Sequence, residues 1–152
     1  SNVVKLYDKD GKFLCNIGAM GNGPGEYPVT IYDVSIDERG GHIFLSLFYG
    51  KKIMMYGLDG KWIKDINLPG QINKPKIEVN ADGTLSVVHM PFEEGTPIAF
   101  RMDTDGNILS QIPALDYMLA GNFDNEIFSY RNTGTFDFFY TGIDTTFTYD
   151  TD

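Results

Sequence analysis

Two short acidic segments contain residue types that could bind a hard cation. Asp8-Lys9-Asp10-Gly11 and Asp103-Thr104-Asp105-Gly106 each place two carboxylates next to a glycine, which is a fragment of the calcium-loop pattern. A complete calcium loop needs further oxygen ligands and a bidentate glutamate at its end, and neither segment continues in that way. A third copy, Gly57-Leu58-Asp59-Gly60, lacks the first acid. We therefore predict hairpin turns in which the aspartate accepts hydrogen bonds from nearby backbone N–H groups.

The histidines and the cysteine do not form a catalytic arrangement in the sequence. His42 begins a predicted strand and His89 ends the equivalent strand of the next repeat, so we expect the two rings at opposite edges of their own repeats. No Ser-His-Asp or Cys-His combination occurs at a diagnostic spacing. Cys15 is the only cysteine, which excludes an internal disulfide. The sequence therefore predicts no catalytic residue, no metal ligand and no cofactor.

A glycine-rich segment follows the first hairpin. Gly21-Asn22-Gly23-Pro24-Gly25-Glu26 contains glycines of the kind whose backbone N–H groups cradle phosphates. A phosphate-binding loop opens a helix, however, whereas this segment leads through Tyr27 and Pro28 into a predicted strand, and Pro24 removes one N–H donor. We interpret the segment as a connection between two sheets, in which the glycines permit a tight reversal and Tyr27 fills a gap.

The Asp-Gly turn phrase recurs along the whole chain. Its aspartate stands at positions 10, 59, 105 and 152, so the copies are about 47 residues apart, a period typical of propellers and solenoids. Alternating apolar and polar runs flank each turn, which indicates a β-hairpin. A second hairpin lies between successive copies, as in residues 77–88 and 127–138. The repeating unit is therefore two hairpins, or four strands.

Four antiparallel strands per repeat, with no helical periodicity, indicate an all-β fold of β-propeller blades. Aligning the copies predicts the last two strands of one blade in residues 1–18, complete blades in 31–67 and 76–113, and the first three strands of a fourth blade in 126–152. A closed ring usually needs about four to eight blades. We therefore expect an incomplete ring, which belongs to a longer propeller or is completed by a second copy.

The first connection resembles a known repeat. From Ile17 to Asp37 the chain is similar to the NHL-type propeller repeat, in which a strand ending in glycine leads through a glycine-rich loop to an aromatic residue, a proline and a new inner strand. Residues 21–27 also resemble six-bladed propeller proteins that are abundant among exported lipoproteins of gut bacteria. The phrase Asp144-Thr145-Thr146-Phe147 is similar to that family's Asp-Thr-aliphatic-Tyr, although Thr146 and Phe147 depart from it.

This resemblance covers essentially the whole chain, although the second and third connections lack the full glycine motif. It implies six blades, of which the chain would supply about half. It also implies a periplasmic or cell-surface location and a lipid-bearing leader that would precede the chain. The family has no accepted set of catalytic residues, so the resemblance implies no site.

Composition excludes several classes of partner. The chain has 12 basic and 21 acidic residues, a net charge of −9, so phosphate backbones would be repelled and nucleic acid is not an expected partner. No apolar stretch approaches the roughly 18 to 20 residues that cross a bilayer as a helix. The first residues are charged and do not form a signal sequence. With 42% apolar and 14% aromatic residues, the chain is expected to fold as a globular domain.

One face of the predicted blades is the best candidate for a binding surface. The loops between the second and third strands of a blade, and those between consecutive blades, emerge on the same side, which we call the loop face. Aromatic rings beside carboxylates suit sugar rings or peptide segments. The predicted ligand-binding residues are Tyr27, Tyr49, His89, Phe92, Tyr117 and Tyr140. Glu93, Glu94 and Asp144 supply the neighbouring acids.

Three functions follow from these patterns. The leading prediction is a non-enzymatic propeller module that binds a peptide, a carbohydrate or a protein on the loop face. The alternative is a propeller lyase or lactonase with a metal in the central channel, for which the first strands of the blades offer Asp33, Glu78 and Glu126. A third possibility is an assembly element, because open blade edges are templates for strand addition.

Overall fold

The chain folds into short β-strands. A computed structural model describes residues 3–92, 96–114, 119, 124–132 and 134–150, and no helix occurs in these ranges. No helix long and apolar enough to cross a membrane is therefore found in the described residues. The strands are β1 (Val4–Tyr7), β2 (Phe13–Ile17), β3 (Ala19–Met20), β4 (Glu26–Tyr27), β5 (Ile31–Asp37), β6 (His42–Leu47), β7 (Tyr49–Gly57), β8 (Trp62–Asn73), β9 (Lys76–Val79), β10 (Leu85–Val88), β11 (Pro97–Met102), β12 (Ile108–Pro113), β13 (Ile127–Asn132), β14 (Thr135–Tyr140) and β15 (Thr146–Asp150).

The strands form small antiparallel sheets whose order follows the chain. Two sheets have four strands, β5-β6-β7-β8 and β9-β10-β11-β12, and the strands β13-β14-β15 form a third sheet. Strands β1 and β2 form a two-stranded antiparallel sheet, and β3 pairs with β4 in parallel. The all-β prediction is confirmed. The assignment of these sheets as propeller blades, with their residue boundaries and unclosed ring, stays a prediction.

The Asp-Gly turns have the predicted hairpin chemistry. Gly11 and Gly106 have φ values of 79° and 94°, in the left-handed region that glycine enters without steric cost. The Asp103 Oδ1 atom accepts hydrogen bonds from the backbone N–H groups of Asp105 and Asn107, each at 2.9 Å. Asp8 accepts the equivalent pair at 3.0 and 2.8 Å. The carboxylates that suggested a calcium loop therefore hold the turns together.

We expect Asp103→Ala to destabilise the chain by about 1 kcal/mol, since an exposed turn loses its two backbone hydrogen bonds. The matched control is Asp105→Ala, because Asp105 is a largely exposed side chain that pairs with Lys64 at 2.8 Å, and such surface pairs contribute little. Urea denaturation compares the two variants. A melting temperature that rises with calcium in the wild type and not in Asp103→Ala would contradict the turn interpretation.

The sheets stack in chain order, and three apolar clusters lie between them. Strand β6 explains why, since Phe44 points to one neighbouring cluster while Ile43 and Leu45 point to the other. Successive side chains of a strand face opposite sides, so a strand buried on both faces reads as a continuous apolar run. Strand β10 does the same, because Val87 packs towards the β5–β8 sheet and Val88 packs towards the β13–β15 sheet.

Candidate functional site

The first strands of three sheets lie beside one another and form a groove. Strands β5, β9 and β13 each occupy one edge of their own sheet, and contacts join β9 to both of the others. The space between them has a volume of about 500 Å³. We call it the edge-strand groove, and it is lined by Asp33, Val34, Ser35, Ile36, Lys76, Ile77, Glu78, Ile127, Phe128 and Ser129.

Asp33 connects β5 to β9 across this groove. Its Oδ2 atom accepts a hydrogen bond from the Ile77 backbone N–H at 2.9 Å, and its Oδ1 atom lies 3.6 Å from Lys76 Nζ. Burial raises the pKa of Asp33, although the Ile77 N–H and the Lys76 ammonium act in the opposite direction. The Lys76 ammonium also lies 5.0 Å from the centre of the Tyr32 ring, a distance at which the cation and the ring attract each other.

Arg131 makes the corresponding connection from β13. Its Nη1 atom donates to Glu78 Oε1 at 2.7 Å and to the Val79 carbonyl at 2.9 Å. The free edge of β9 is therefore hydrogen-bonded by Asp33 of β5 and by Arg131 of β13. An open strand edge is a template for pairing with another chain, and these charged side chains occupy this edge.

Lys74 and Glu126 form a third ion pair next to the groove. Lys74 is 3% exposed, and its Nζ donates to the Asn125 carbonyl at 2.6 Å and to Glu126 Oε1 at 2.8 Å. The Tyr32 hydroxyl donates to Glu126 Oε2. Desolvation acts to raise the pKa of Glu126, but the hydrogen bonds from Lys74 and Tyr32 leave it below its usual value. Burial, followed by the contact with Glu126, raises the pKa of Tyr32.

Each first-strand acid named in the enzyme alternative therefore has a basic partner. Asp33 pairs with Lys76, Glu78 pairs with Arg131 and Glu126 pairs with Lys74. Within the described ranges, no three His, Cys, Asp or Glu side chains are grouped so that they could hold a metal ion. The groove presents paired charges and hydrogen-bonding groups.

A second cavity lies between the two four-stranded sheets. It has a volume of about 250 Å³ and is bounded by the end of β8, by β11 and β12, and by the residues that follow β10. We call it the His89 cleft. The described residues that line it are Leu68, Pro69, Gly70, Gln71, Ile72, His89, Thr96, Pro97, Phe100, Ile108 and Gln111. None of them carries a permanent charge, and apolar side chains predominate.

His89 is the buried titratable group of this cleft. The ring is 0% exposed, and Nδ1 lies 3.1 Å from the Met90 carbonyl. Burial lowers the pKa of His89 to about 4, although the carbonyls of Met90 and Pro97 favour the protonated form. The ring is therefore neutral at neutral pH. Because a carbonyl can only accept, Nδ1 carries the proton and Nε2 carries a lone pair.

The structure does not bring the five described residues of the predicted ligand-binding set together on one exposed surface. Tyr27 and Tyr140 are 0% and 1% exposed. Tyr27 packs between the β1–β2 and β5–β8 sheets, as the gap-filling interpretation predicts. Tyr140 donates to the Ile98 carbonyl at 2.9 Å, and burial raises its pKa. The expectation of exposed rings is wrong for Tyr27, Tyr140 and His89, because inter-sheet packing buries them.

The other predicted residues have different surroundings. Tyr49 is exposed and lines a separate shallow surface with Pro28, Val29 and Lys51. Phe92 is partly buried against the cluster between the β9–β12 and β13–β15 sheets. Tyr117, Glu93 and Glu94 lie outside the described residues, and Asp144 is exposed. A ligand-binding role stays a prediction for all six residues of the set.

Lys74 and Tyr32 were missed by sequence reasoning. Lys74 has a φ of 46°, which is uncommon outside glycine, asparagine and aspartate. The following Pro75 disfavours a right-handed helical conformation at Lys74, but nothing in the sequence indicates a buried ammonium. Tyr32 stands one position before Asp33 in a predicted strand. Its contact with Glu126 depends on how the β5–β8 sheet packs beside the residues that precede β13, which no local pattern predicts.

The fold and the two cavities define an all-β protein of stacked antiparallel sheets, with one polar groove and one small apolar cleft. The chain belongs to the DUF4934 family, described as a domain of unknown function, whose sequence profile matches residues 1–152. No curated protein matches the sequence. The description of the family names no activity.

Two solved structures have a similar fold. A protein of Bacteroides fragilis, whose assignment as exported is itself an inference, matches 96% of this chain with a TM-score of 0.73 and 17% identity. A Bacteroides caccae protein of unknown function matches 99% of this chain with a TM-score of 0.52 and 14% identity. The chain spans 42% and 54% of these two proteins. At these identities the likeness concerns the fold alone.

Proposed function

We propose that the chain is a non-enzymatic binding module, formed by β-propeller blades of an exported bacterial protein, and that a small ligand binds in the His89 cleft. The observation that carries the proposal is the cleft itself, about 250 Å³ with mostly apolar walls and a few polar groups. Small-molecule sites usually have this composition and often include a residue with a perturbed pKa. His89 is such a residue.

The propeller assignment is supported by the order and packing of the sheets. Four-stranded antiparallel sheets that stack in chain order are what consecutive blades would form. The sheets at the two ends of the stack expose aromatic pairs, Tyr7 with Phe13 and Phe128 with Phe139. Further blades of a longer protein, or a second copy acting as an assembly partner, would cover these faces. The neighbour assigned as exported supports an extracytoplasmic location. The finer proposal of a periplasmic or cell-surface location, with a lipid-anchored parent protein, rests on the resemblance of the glycine-rich connection to exported lipoproteins.

The enzyme alternative has less support. A channel metal would need carboxylates free to act as ligands, whereas Asp33, Glu78 and Glu126 each have a basic partner. A polar ligand could still bind in the edge-strand groove. The His89 cleft is preferred because it combines apolar burial with a few polar groups, from which small-molecule affinity usually arises.

The binding proposal is tested by filling the cleft. In Ile108→Trp a larger side chain occupies the cleft, and we expect binding of uncharged fragments to fall at least tenfold. The control is Leu109→Trp, because Leu109 is the next residue of β12, is exposed and does not line the cleft. Protein-observed NMR with a library of uncharged fragments reports both affinity and site. If no fragment shifts the cleft resonances of the wild type, the proposal is wrong.

A further inference from the structure

One nitrogen of the His89 ring is a buried acceptor without a donor. Nδ1 donates to the Met90 carbonyl at 3.1 Å, so the lone pair of the neutral ring is on Nε2. Nε2 is buried, and no described residue donates a hydrogen bond to it. A buried acceptor without a partner loses its hydration and gains nothing in exchange. The ring therefore offers a hydrogen-bond acceptor that the described part of the fold leaves unused.

The walls around His89 determine what kind of molecule could supply the donor. Leu68, Ile72, Phe100 and Ile108 give the cleft an apolar surface. No lining residue carries a permanent charge, so an ionic ligand group would be desolvated there without a counter-charge. The volume of about 250 Å³ has room for one ring with short substituents.

We infer that the His89 cleft binds an uncharged, ring-sized apolar molecule whose hydroxyl group donates a hydrogen bond to His89 Nε2. This inference rests on the proposed function, because it names the ligand class of the same site. The Nε2 atom has less than 1 Å² of accessible surface. Binding in this way therefore requires a side chain of the cleft wall to change rotamer as the ligand enters, a small adjustment that is common when ligands bind. The apolar walls supply most of the affinity, and His89 selects for the hydroxyl.

The test compares phenol with anisole, its methyl ether, which has the same ring and no donor. We expect NMR titration of the wild type to show phenol binding at least tenfold more tightly than anisole. Phenol should also shift the His89 Nε2 ¹⁵N resonance in the direction of a hydrogen-bonded acceptor. In His89→Phe, which keeps a ring of similar size and removes the acceptor, the preference for phenol should disappear.

The possible outcomes separate this inference from the proposed function. Equal binding of phenol and anisole at the cleft would overturn the hydroxyl inference and leave the binding site in place. Absence of binding by both probes would overturn the inference and count against the proposed function. If His89→Phe does not fold, Ile108→Trp serves instead, because it retains His89 and closes the cleft. Phenol binding that persists in Ile108→Trp would place the probe elsewhere and overturn the inference.

Discussion

The stability of the chain should fall by about 3 kcal/mol between pH 6.5 and pH 4 because of His89. The folded state holds the pKa of this ring at about 4, whereas an unfolded histidine titrates near pH 6.5. Between these values the unfolded chain binds more protons than the folded chain, so stability decreases as the pH falls. The contribution is fully present above the unfolded pKa and is lost as the pH falls towards the folded pKa. The magnitude follows because each unit of difference between the folded and unfolded pKa values corresponds to roughly 1.4 kcal/mol of stability.

Urea denaturation of the wild type and of His89→Phe, at half-unit steps from pH 4 to pH 7, isolates this contribution. Other groups also titrate in this range. Burial raises the pKa of Asp33, which makes the folded chain bind the extra proton and gives a slope of opposite sign. Subtracting the variant's profile from that of the wild type removes such common terms. If the two profiles are parallel, His89 is not buried in its neutral form, and NMR titration of its ring would then give a pKa near 6.5.

The sequence predicted the local features of the fold better than its long-range contacts. The turn at Asp103 follows from a short phrase, because the aspartate, the glycine and the bonded N–H groups lie within four residues of each other. The apolar run of β6 indicates a strand buried on both faces in the same local way. Turn chemistry and side-chain alternation depend on neighbouring residues, so a single sequence contains the information.

The candidate sites depend on contacts between residues that are far apart in sequence. The Lys74 ammonium contacts Glu126, 52 residues later, and Tyr32 contacts the same carboxylate across 94 residues. Nothing near Lys74 or Tyr32 in the sequence distinguishes them from ordinary surface residues. The sequence placed His89 at the end of a strand, but the burial of its ring depends on how Pro97 and Phe100 of the next strand cover it.

Aromatic residues illustrate the same limit. Tyr27 and Tyr49 both stand at predicted loop positions, and both belong to the predicted ligand-binding set, although the glycine-rich connection also indicated a gap-filling role for Tyr27. The structure buries Tyr27 completely and leaves Tyr49 about half exposed. The difference arises because Tyr27 follows the glycine-rich connection, which folds back against the sheet of β5–β8. Predicting which ring faces solvent therefore requires the packing of two sheets, and periodicity alone does not supply it.

We expect Gly18→Ala to destabilise the chain by about 3 kcal/mol or more, because it combines a strained backbone with a steric clash. Gly18 has a φ of 67°. A Cβ atom at this position would lie 2.6 Å from the Tyr56 hydroxyl oxygen, 2.8 Å from Tyr27 Cε1 and 2.9 Å from the Gly25 carbonyl oxygen. Tyr56 itself donates to that carbonyl at 2.9 Å. The methyl group would therefore separate the connection from the buried rings of Tyr27 and Tyr56.

The matched control for this variant is Gly11→Ala. Gly11 also has a positive φ, 79°, but a Cβ atom there would have no neighbour within 4 Å, so its cost should be the conformational term alone, about 1 to 2 kcal/mol. Denaturant midpoints of the two variants, measured at pH 7, give the difference directly. A Gly18→Ala cost no greater than that of Gly11→Ala would mean that the connection does not pack on Tyr27 and Tyr56. A larger cost, with a preserved Tyr49 environment by NMR, would show that the glycine is required for close approach of the glycine-rich connection to the sheet.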